Sequence, residues 1–433
     1  MRFVSTRGGG RPVSLRTALF EGMAEDGGLY MPESIEAWSA ADLAALPGQS
    51  LIETGISVLR PFVADDIPSR TLSSIVDEAL AFPIPLVEIE AGLFALELFH
   101  GPTLAFKDVG ARVLAGLMAA LHGGDARSTI LVATSGDTGS AVGHAFSGID
   151  GFRVVVLYPD RGVSPTQEAQ LTMFNHVEGA NVRAYAVAGT FDDCQGLVKR
   201  AFADRELRQA VRLTSANSIN VGRLLPQMIY YFCSAASRAF TVRPAPIFSV
   251  PSGNFGNLAA GVMARRAGAP IRSFVAATNV NDVVPRYLAT GRFEARPSIQ
   301  TIANAMDCGN PSNFERLRWL HGGGLDAIRG EIEGSVHAED DVRSTILRVY
   351  DERNYLLDPH SAIAYLGARS ALSRSPTAVF LATAHAAKFA EVVEPIIGRT
   401  VDVPAPLAAA LAAPRSILRL EATLDAVAGA LRG

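Results

Sequence analysis

The sequence predicts an α/β protein: two three-layer αβα units with mostly parallel sheets, preceded by an N-terminal, mainly helical segment. Three observations predict it. Short runs rich in β-branched and apolar residues recur after residue 93, at 129–134, 153–158, 182–187, 247–250, 273–278 and 378–382. Helical stretches separate them, among them 104–121, 139–146, 194–202 and 257–266. Strands alternating with such helices form βαβ units, whose crossovers produce parallel sheets. Residues 1–92 lack that alternation. They are polar and interrupted by Pro32, Pro47, Pro61, Pro68, Pro83 and Pro85, and read as short helices joined by loops. The expected division is therefore 1–92, an α/β unit at 93–240 and a second at 241–433, with a cleft between the two units.

Composition narrows the function. The chain has 433 residues, 48% of them apolar and 19% charged, which describes an ordinary folded core. A net charge of −4 and the lack of any basic run argue against a nucleic-acid surface. A local pocket can still oppose the global sign and hold a small anion. No window reaches 18 consecutive apolar residues, so no membrane span is expected. The N-terminus shows no basic stretch followed by an apolar core, so no secretory signal is expected. Cys194, Cys233 and Cys308 have no CxxC spacing and read as reduced thiols, which points to the cytoplasm and to no metal site.

Lysine usage carries more information. Of 39 basic residues only Lys107, Lys199 and Lys388 are lysine. Arginine stays protonated in proteins, whereas a desolvated lysine can act as a nucleophilic amine or base. A lysine kept in an arginine-biased chain is thus a functional candidate. Lys107 sits in His100-Gly101-Pro102-Thr103-Leu104-Ala105-Phe106-Lys107-Asp108, near a helix start and after an apolar triplet. Both surroundings lower an amine's proton affinity. Asp108, adjacent in sequence, points elsewhere on a helix and need not cancel the effect.

Ligands of open α/β sheets collect beyond the carboxyl ends of strands. Three loops occupy such places. Ser135-Gly136-Asp137-Thr138-Gly139 offers hydroxyls and helix-start amides for an anion, or a plain strand-to-helix turn capped by Ser or Asp. Gly253-Asn254-Phe255-Gly256-Asn257 has two glycines three apart, suited to folding tightly around an oxyanion or to a tight structural turn. Thr383-Ala384-His385-Ala386-Ala387-Lys388 brings a hydroxyl, an imidazole and the second rare lysine to a strand end, or simply caps a helix.

In order and spacing these motifs resemble the threonine synthases, pyridoxal-phosphate enzymes of the tryptophan-synthase-β-like fold (fold type II). The resemblance begins at Ser5-Thr6-Arg7-Gly8 and Asp26-Gly27-Gly28-Leu29-Tyr30-Met31-Pro32, an opening that related dehydratases lack. It runs through the three loops, Ser215-Ala216-Asn217-Ser218-Ile219-Asn220, Gly309-Asn310-Pro311-Ser312-Asn313 and Asp358-Pro359-His360, and fits the shorter bacterial and fungal form. Ala386 departs from it, standing where the family more often has proline.

The resemblance implies pyridoxal 5'-phosphate carried by Lys107, which also moves protons at substrate Cα and Cβ. It implies Gly253, Asn254, Phe255, Gly256 and Asn257 around the cofactor phosphate and Thr383 at the pyridine nitrogen. Ser135, Asp137, Thr138 and Gly139 would meet the substrate carboxylate or the cofactor's phenolic oxygen. The implied reaction is lysis of O-phospho-L-homoserine by γ-elimination and β-addition of water, giving L-threonine and phosphate, a step of threonine biosynthesis. That substrate needs a second phosphate site, for which Asn217, Ser218, Asn220, Arg223 and Lys388 are candidates. Asn310, Ser312, Asn313 and His360 are expected to stand behind them. Two rivals stay open: a pyridoxal-phosphate dehydratase or phospholyase acting on hydroxy or phosphohydroxy amino acids, and a non-catalytic binding protein that kept the fold. A monomer and a homodimer are both compatible with the sequence.

Overall fold

Continuous burial turns the apolar runs into central strands. Ser128–Ala133 and Ala378–Ala382 are buried at every position, and Phe152–Pro159 at every position but Arg153. A parallel sheet covered by helices on both faces requires such runs rather than polar alternation. In the computed structural model, which describes residues 1–124, 126–240 and 243–432, the strands form two main sheets.

The five-stranded sheet runs Leu418–Leu420, Val182–Val187, Phe152–Pro159, Ser128–Ala133, Leu213–Thr214, with every neighbouring pair parallel. The six-stranded sheet runs Ile332–Val336, Ser273–Thr278, Ile247–Pro251, Ala378–Ala382, Leu93–Glu97, Leu86–Glu90. Only its last pair is antiparallel. Phe3–Ser5 and Tyr30–Pro32 add a two-stranded ribbon.

The sheets do not follow a chain division at residue 240 strictly. Leu93–Glu97 pairs with Ala378–Ala382, and Leu418–Leu420 crosses back to Val182–Val187. Glutamates at 88, 90 and 97 blur the apolar signal of the two early strands. Ile332–Val336 is thin in apolar residues because it is a sheet edge, and its Gly334 lets the backbone lie against Pro285.

Helix Lys107–Leu121 packs against Asp137–Phe146 and Ser69–Ala79. Helix Pro359–Ala371 lies under the six-stranded sheet, where a Cβ at Gly367 would stand 2.5 Å from Ser249 Oγ. Ahead of the sheets, helix Leu51–Val63 opens with a capping box of Ser50 and Glu53 and carries Pro61 in its last turn. Among the described residues no helix is long and apolar enough to cross a membrane. The three cysteines are unpaired; Cys194 is buried, Cys233 and Cys308 partly so.

Candidate active site

The chain reaches Lys107 through a kink. Leu104 adopts a left-handed conformation, φ 57°, which costs a non-glycine residue about 1–3 kcal/mol and tends to persist where function needs it. After the kink Ala105 bridges Ala384, the Phe106 amide donates to Thr383 O (2.9 Å), and the His385 amide donates to Leu104 O (3.1 Å). The segment before the lysine is thereby clamped to the end of strand Ala378–Ala382. Lys107 then begins its helix with no side-chain cap, where the macrodipole disfavours a positive charge. Asp108 is turned away and buried, accepting from the Thr103 amide (2.9 Å) and hydroxyl (2.7 Å), and burial pushes its carboxyl up.

Around the Lys107 amine, charges are close and nearly dry. Asp137 Oδ2 lies 3.7 Å from Lys107 Nζ, and Asp137 Oδ1 lies 2.8 Å from Lys388 Nζ. Lys388 is fully buried and also donates to Thr103 O at 2.8 Å. Burial brings the Lys107 amine down to about 8; Asp137 opposes this, while Lys388 and Arg223 reinforce it. For Asp137, burial alone would raise the carboxyl, yet the two lysines together hold it below the usual range.

The Ser135-Gly136-Asp137-Thr138-Gly139 turn is capped by neither Ser135 nor Asp137. Thr134 Oγ1 does this work, accepting from the Gly136 and Gly139 amides at 3.0 Å each. Gly136 takes φ 136°, and a Cβ there would stand 2.6 Å from the Gln167 amide group. Asp137 is thus free to face the lysines, while Ser135 and Thr138 remain partly exposed.

The second loop fits a phosphate. Phe255 is left-handed, φ 61°, and opens helix Gly256–Arg266 without a side-chain cap. First-turn amides of such a helix have no intrahelical acceptor and suit an anion. At Gly253 a Cβ would lie 2.7 Å from Met306 Cα and 2.9 Å from Ala305 O, so the backbone approach needs glycine. Asn254 is fixed by the Ser312 amide (2.5 Å) and by donation to Ser218 Oγ (2.8 Å). Asn257 accepts from Tyr230 (2.7 Å) and Tyr231 (2.8 Å), and its buried Nδ2 has no partner among the described residues. Its side chain therefore positions the loop, leaving its amide for a ligand. A cofactor phosphate fits these residues.

The 217–223 segment divides by role. Asn220 is wholly engaged, donating to Leu19 O and Ser215 O (2.8 Å each) and capping the Gly222 amide (2.9 Å). Ser218 Oγ meets Asn254 and, at 3.2 Å, Asn313 Nδ2. Arg223 donates to Ala216 O (2.8 Å), while among the described residues neither its buried Nε nor the buried Asn217 Oδ1 has a partner. A Cβ at Gly110, one turn beyond Lys107 on the same helix face, would lie 3.2 Å from that Nε. Burial lowers Arg223 to about 10, which leaves it charged at neutral pH.

The structure thus gathers Lys107, Asp137, Lys388, Thr383 and Arg223 in one place, with the Gly253 loop joined to Ser218 beside it. Of the residues expected behind them, His360 bonds Asp358 (2.6 Å) and accepts from the Ala305 amide (3.2 Å), and Asn313 and Ser312 hold the phosphate loop as described. Sequence reasoning missed Arg316. Fully buried, it donates to Ser218 O, Ile219 O, Asn313 Oδ1 and Tyr30 O, tying the N-terminal ribbon to the loop beside the site. One arginine among 36 gave no signal. Gln167 and Asp307 were missed as well. Gln167 Nε2 lies 3.5 Å from Asp137 Oδ1, and burial pushes the Asp307 carboxyl up to about 6.

Comparison with known proteins decides the family. A family model described as pyridoxal-phosphate dependent enzyme matches residues 80–384, with threonine synthase N-terminal and C-terminal models at 2–80 and 361–430. The chain is 44% identical over 396 residues to a threonine synthase of Haemophilus influenzae, covering 90% of each chain. It belongs to the threonine synthase family. The pyridoxal-phosphate-bound threonine synthase of Brucella melitensis superposes with a TM-score of 0.93 at 40% identity, covering 100% of this chain and 99% of that one. The threonine synthase of Escherichia coli does so with 0.93 at 39% identity, over 100% and 99%. The fold is therefore fold type II, and the cofactor is pyridoxal phosphate. The threonine synthase N-terminal model covers the ribbon that Arg316 anchors.

Proposed function

We propose that this site converts O-phospho-L-homoserine and water into L-threonine and inorganic phosphate. One observation carries the reading: the Lys107 amine shares its site with Asp137, Lys388 and the buried guanidinium of Arg223, whose Nε has no hydrogen-bond partner among the described residues. Two anions need holding, the cofactor's phosphate and the substrate's. The loop of Gly253, Asn254, Phe255, Gly256 and Asn257 serves the first. Arg223, Asn217 and Ser218 serve the second, with Asn220 shaping their loop.

Pyridoxal phosphate, when bound, supplies an electron sink for charge developing on the substrate carbons. Lys107 holds the cofactor and, once its amine is released, takes the proton from Cα and then from Cβ. The C–O bond at Cγ breaks and phosphate leaves toward Arg223. A proton is delivered to Cγ, water then adds its hydroxyl at Cβ and gives up a proton to a base of the site, and Cα is reprotonated last. Ser135, Thr138 and the Gly139 turn orient the substrate carboxylate, and Asp137 faces Lys107. Thr383 would meet the ring nitrogen of the bound cofactor, and a hydroxyl there, unlike a carboxylate, would leave that nitrogen largely unprotonated.

The segments 1–92, 93–240 and 241–433 serve as flank and cleft walls, with strands Leu93–Glu97 and Leu418–Leu420 exchanged between the walls. Free cysteines support a cytoplasmic setting. Monomer and homodimer both suit the reading.

Against a dehydratase or phospholyase stands the match of the N-terminal model at 2–80. A non-catalytic binding protein would have no use for Lys107 in this setting. The test is product analysis: threonine and phosphate from phosphohomoserine support the synthase. Ammonia and keto acid from serine or threonine, with no threonine or phosphate released from phosphohomoserine, would replace it with the dehydratase.

A further inference from the structure

We propose that Lys388 is a positioning residue that keeps the Asp137 carboxylate engaged, so that Asp137 makes no direct hydrogen bond to Lys107 and the Lys107 amine is free to react. The inference rests on the reading of Lys107 as the cofactor lysine.

The geometry is asymmetric. Asp137 accepts from Lys388 through Oδ1 at 2.8 Å, a charge-assisted hydrogen bond, but makes only a looser ion pair with Lys107 at 3.7 Å, beyond hydrogen-bond reach. Lys388 is fixed from its other side by Thr103 O at 2.8 Å. Thr103 in turn orders Asp108 through its amide and hydroxyl. One residue thus holds Lys388 on Asp137 and turns Asp108 away from Lys107. An ammonium so committed, with no exposed surface, is poorly placed to receive a substrate phosphate, the role the sequence suggested for it.

The remaining charged and titratable neighbours do not substitute for Lys388. On the helix of Lys107 there is Asp108, already bonded, with His144 of helix Asp137–Phe146 facing it. Arg223, from Val221–Leu224, adds repulsion to Lys107. His360, from Pro359–Ala371, faces Asp137 but gives Nδ1 to Asp358, and His385 beside Lys388 caps the Ala387 amide. Without Lys388, Asp137 has Lys107 as its cation, and the Lys107 amine keeps its proton to higher pH.

Three lysines make the test direct. The full-length chain, freed of cofactor and labelled with lysine carrying 13C at Cε, gives three side-chain signals, assigned by single substitutions and followed against pH. Lys388→Met is expected to raise the Lys107 midpoint by one unit or more, a tenfold or greater loss of neutral amine at pH 7, with the same shift in the pH dependence of cofactor recapture. The double variant Asp137→Asn with Lys388→Met removes both charges and is expected to return the midpoint to the wild-type value or below. An unmoved midpoint in Lys388→Met overturns the proposal. If that variant does not fold, a double variant whose Lys107 titrates above the wild type overturns it equally. A borohydride label at another lysine would end the cofactor reading while leaving the Lys107 titration as measured, so the two failures are distinguishable.

Discussion

Phe106 and Thr383 are joined by a main-chain hydrogen bond of 2.9 Å, although 277 positions separate them in sequence. The residue preceding Lys107, the lysine proposed to carry the cofactor, is thus held by the residue assigned to the pyridine nitrogen, so the two proposed cofactor contacts share one clamp. The clamp is main-chain, so replacing the lysine side chain leaves it standing. Lys107→Ala should fold with an unchanged circular-dichroism spectrum and lose the near-ultraviolet cofactor band. Threonine formation should fall by about 10³-fold or more, the scale of a lost general base. Residual activity within tenfold of wild type would count against the assignment.

The Lys107 amine at about 8 sets a pH dependence for cofactor recapture by the stripped chain. Only the neutral amine condenses with an aldehyde, so the recapture rate should climb about tenfold per pH unit up to that midpoint and level off above it. The stability sign follows from the same shift. Between about 8 and 10.5 the folded chain binds fewer protons at this group than the unfolded chain, so its contribution makes stability rise with pH across that window. Stopped-flow absorbance and urea midpoints across pH check both.

Gly253→Ala places a methyl 2.7 Å from Met306 Cα and 2.9 Å from Ala305 O, both main-chain atoms. Overpacking of this kind costs about 1–3 kcal/mol. Weakening of cofactor retention by about tenfold or more is expected, measured by equilibrium dialysis. Alanine at Gly398, where no neighbour lies within 4 Å, should leave retention unchanged, apart from local strain at its φ of 67°.

Arg223→Leu removes the cation assigned to the substrate phosphate. A hydrogen bond to a charged group contributes ~1.5–3 kcal/mol, so kcat/KM for phosphohomoserine should fall by about 10–10²-fold. The cofactor band should persist, because Arg223 is assigned to the substrate's anion and not to the cofactor's. Unchanged steady-state kinetics would move the substrate phosphate elsewhere.

Much of this site was legible in the sequence because rarity and position coincide at a few residues. Lys107 stood out among three lysines, and the loops around Asp137 and Gly253 follow strands whose apolar runs are unmistakable. The predicted strands at 182–187, 273–278 and 378–382 match the observed bounds. What the sequence hid depends on long-range pairing. Leu93–Glu97 joins a sheet whose partner lies 285 positions later, and nothing in its local pattern shows this. Arg316 works through four acceptors from three separate segments, visible only once those segments meet. Thr134 takes the capping role that the sequence offered to Ser135 or Asp137, while the Asp137 carboxylate turns to Lys388.

Reduction with borohydride followed by peptide mapping tests the central assignment most directly. The cofactor-loaded chain should yield a single pyridoxyl-labelled peptide, modified at Lys107. Labelling at Lys388 or Lys199, or recovery of unlabelled peptides only, would contradict it.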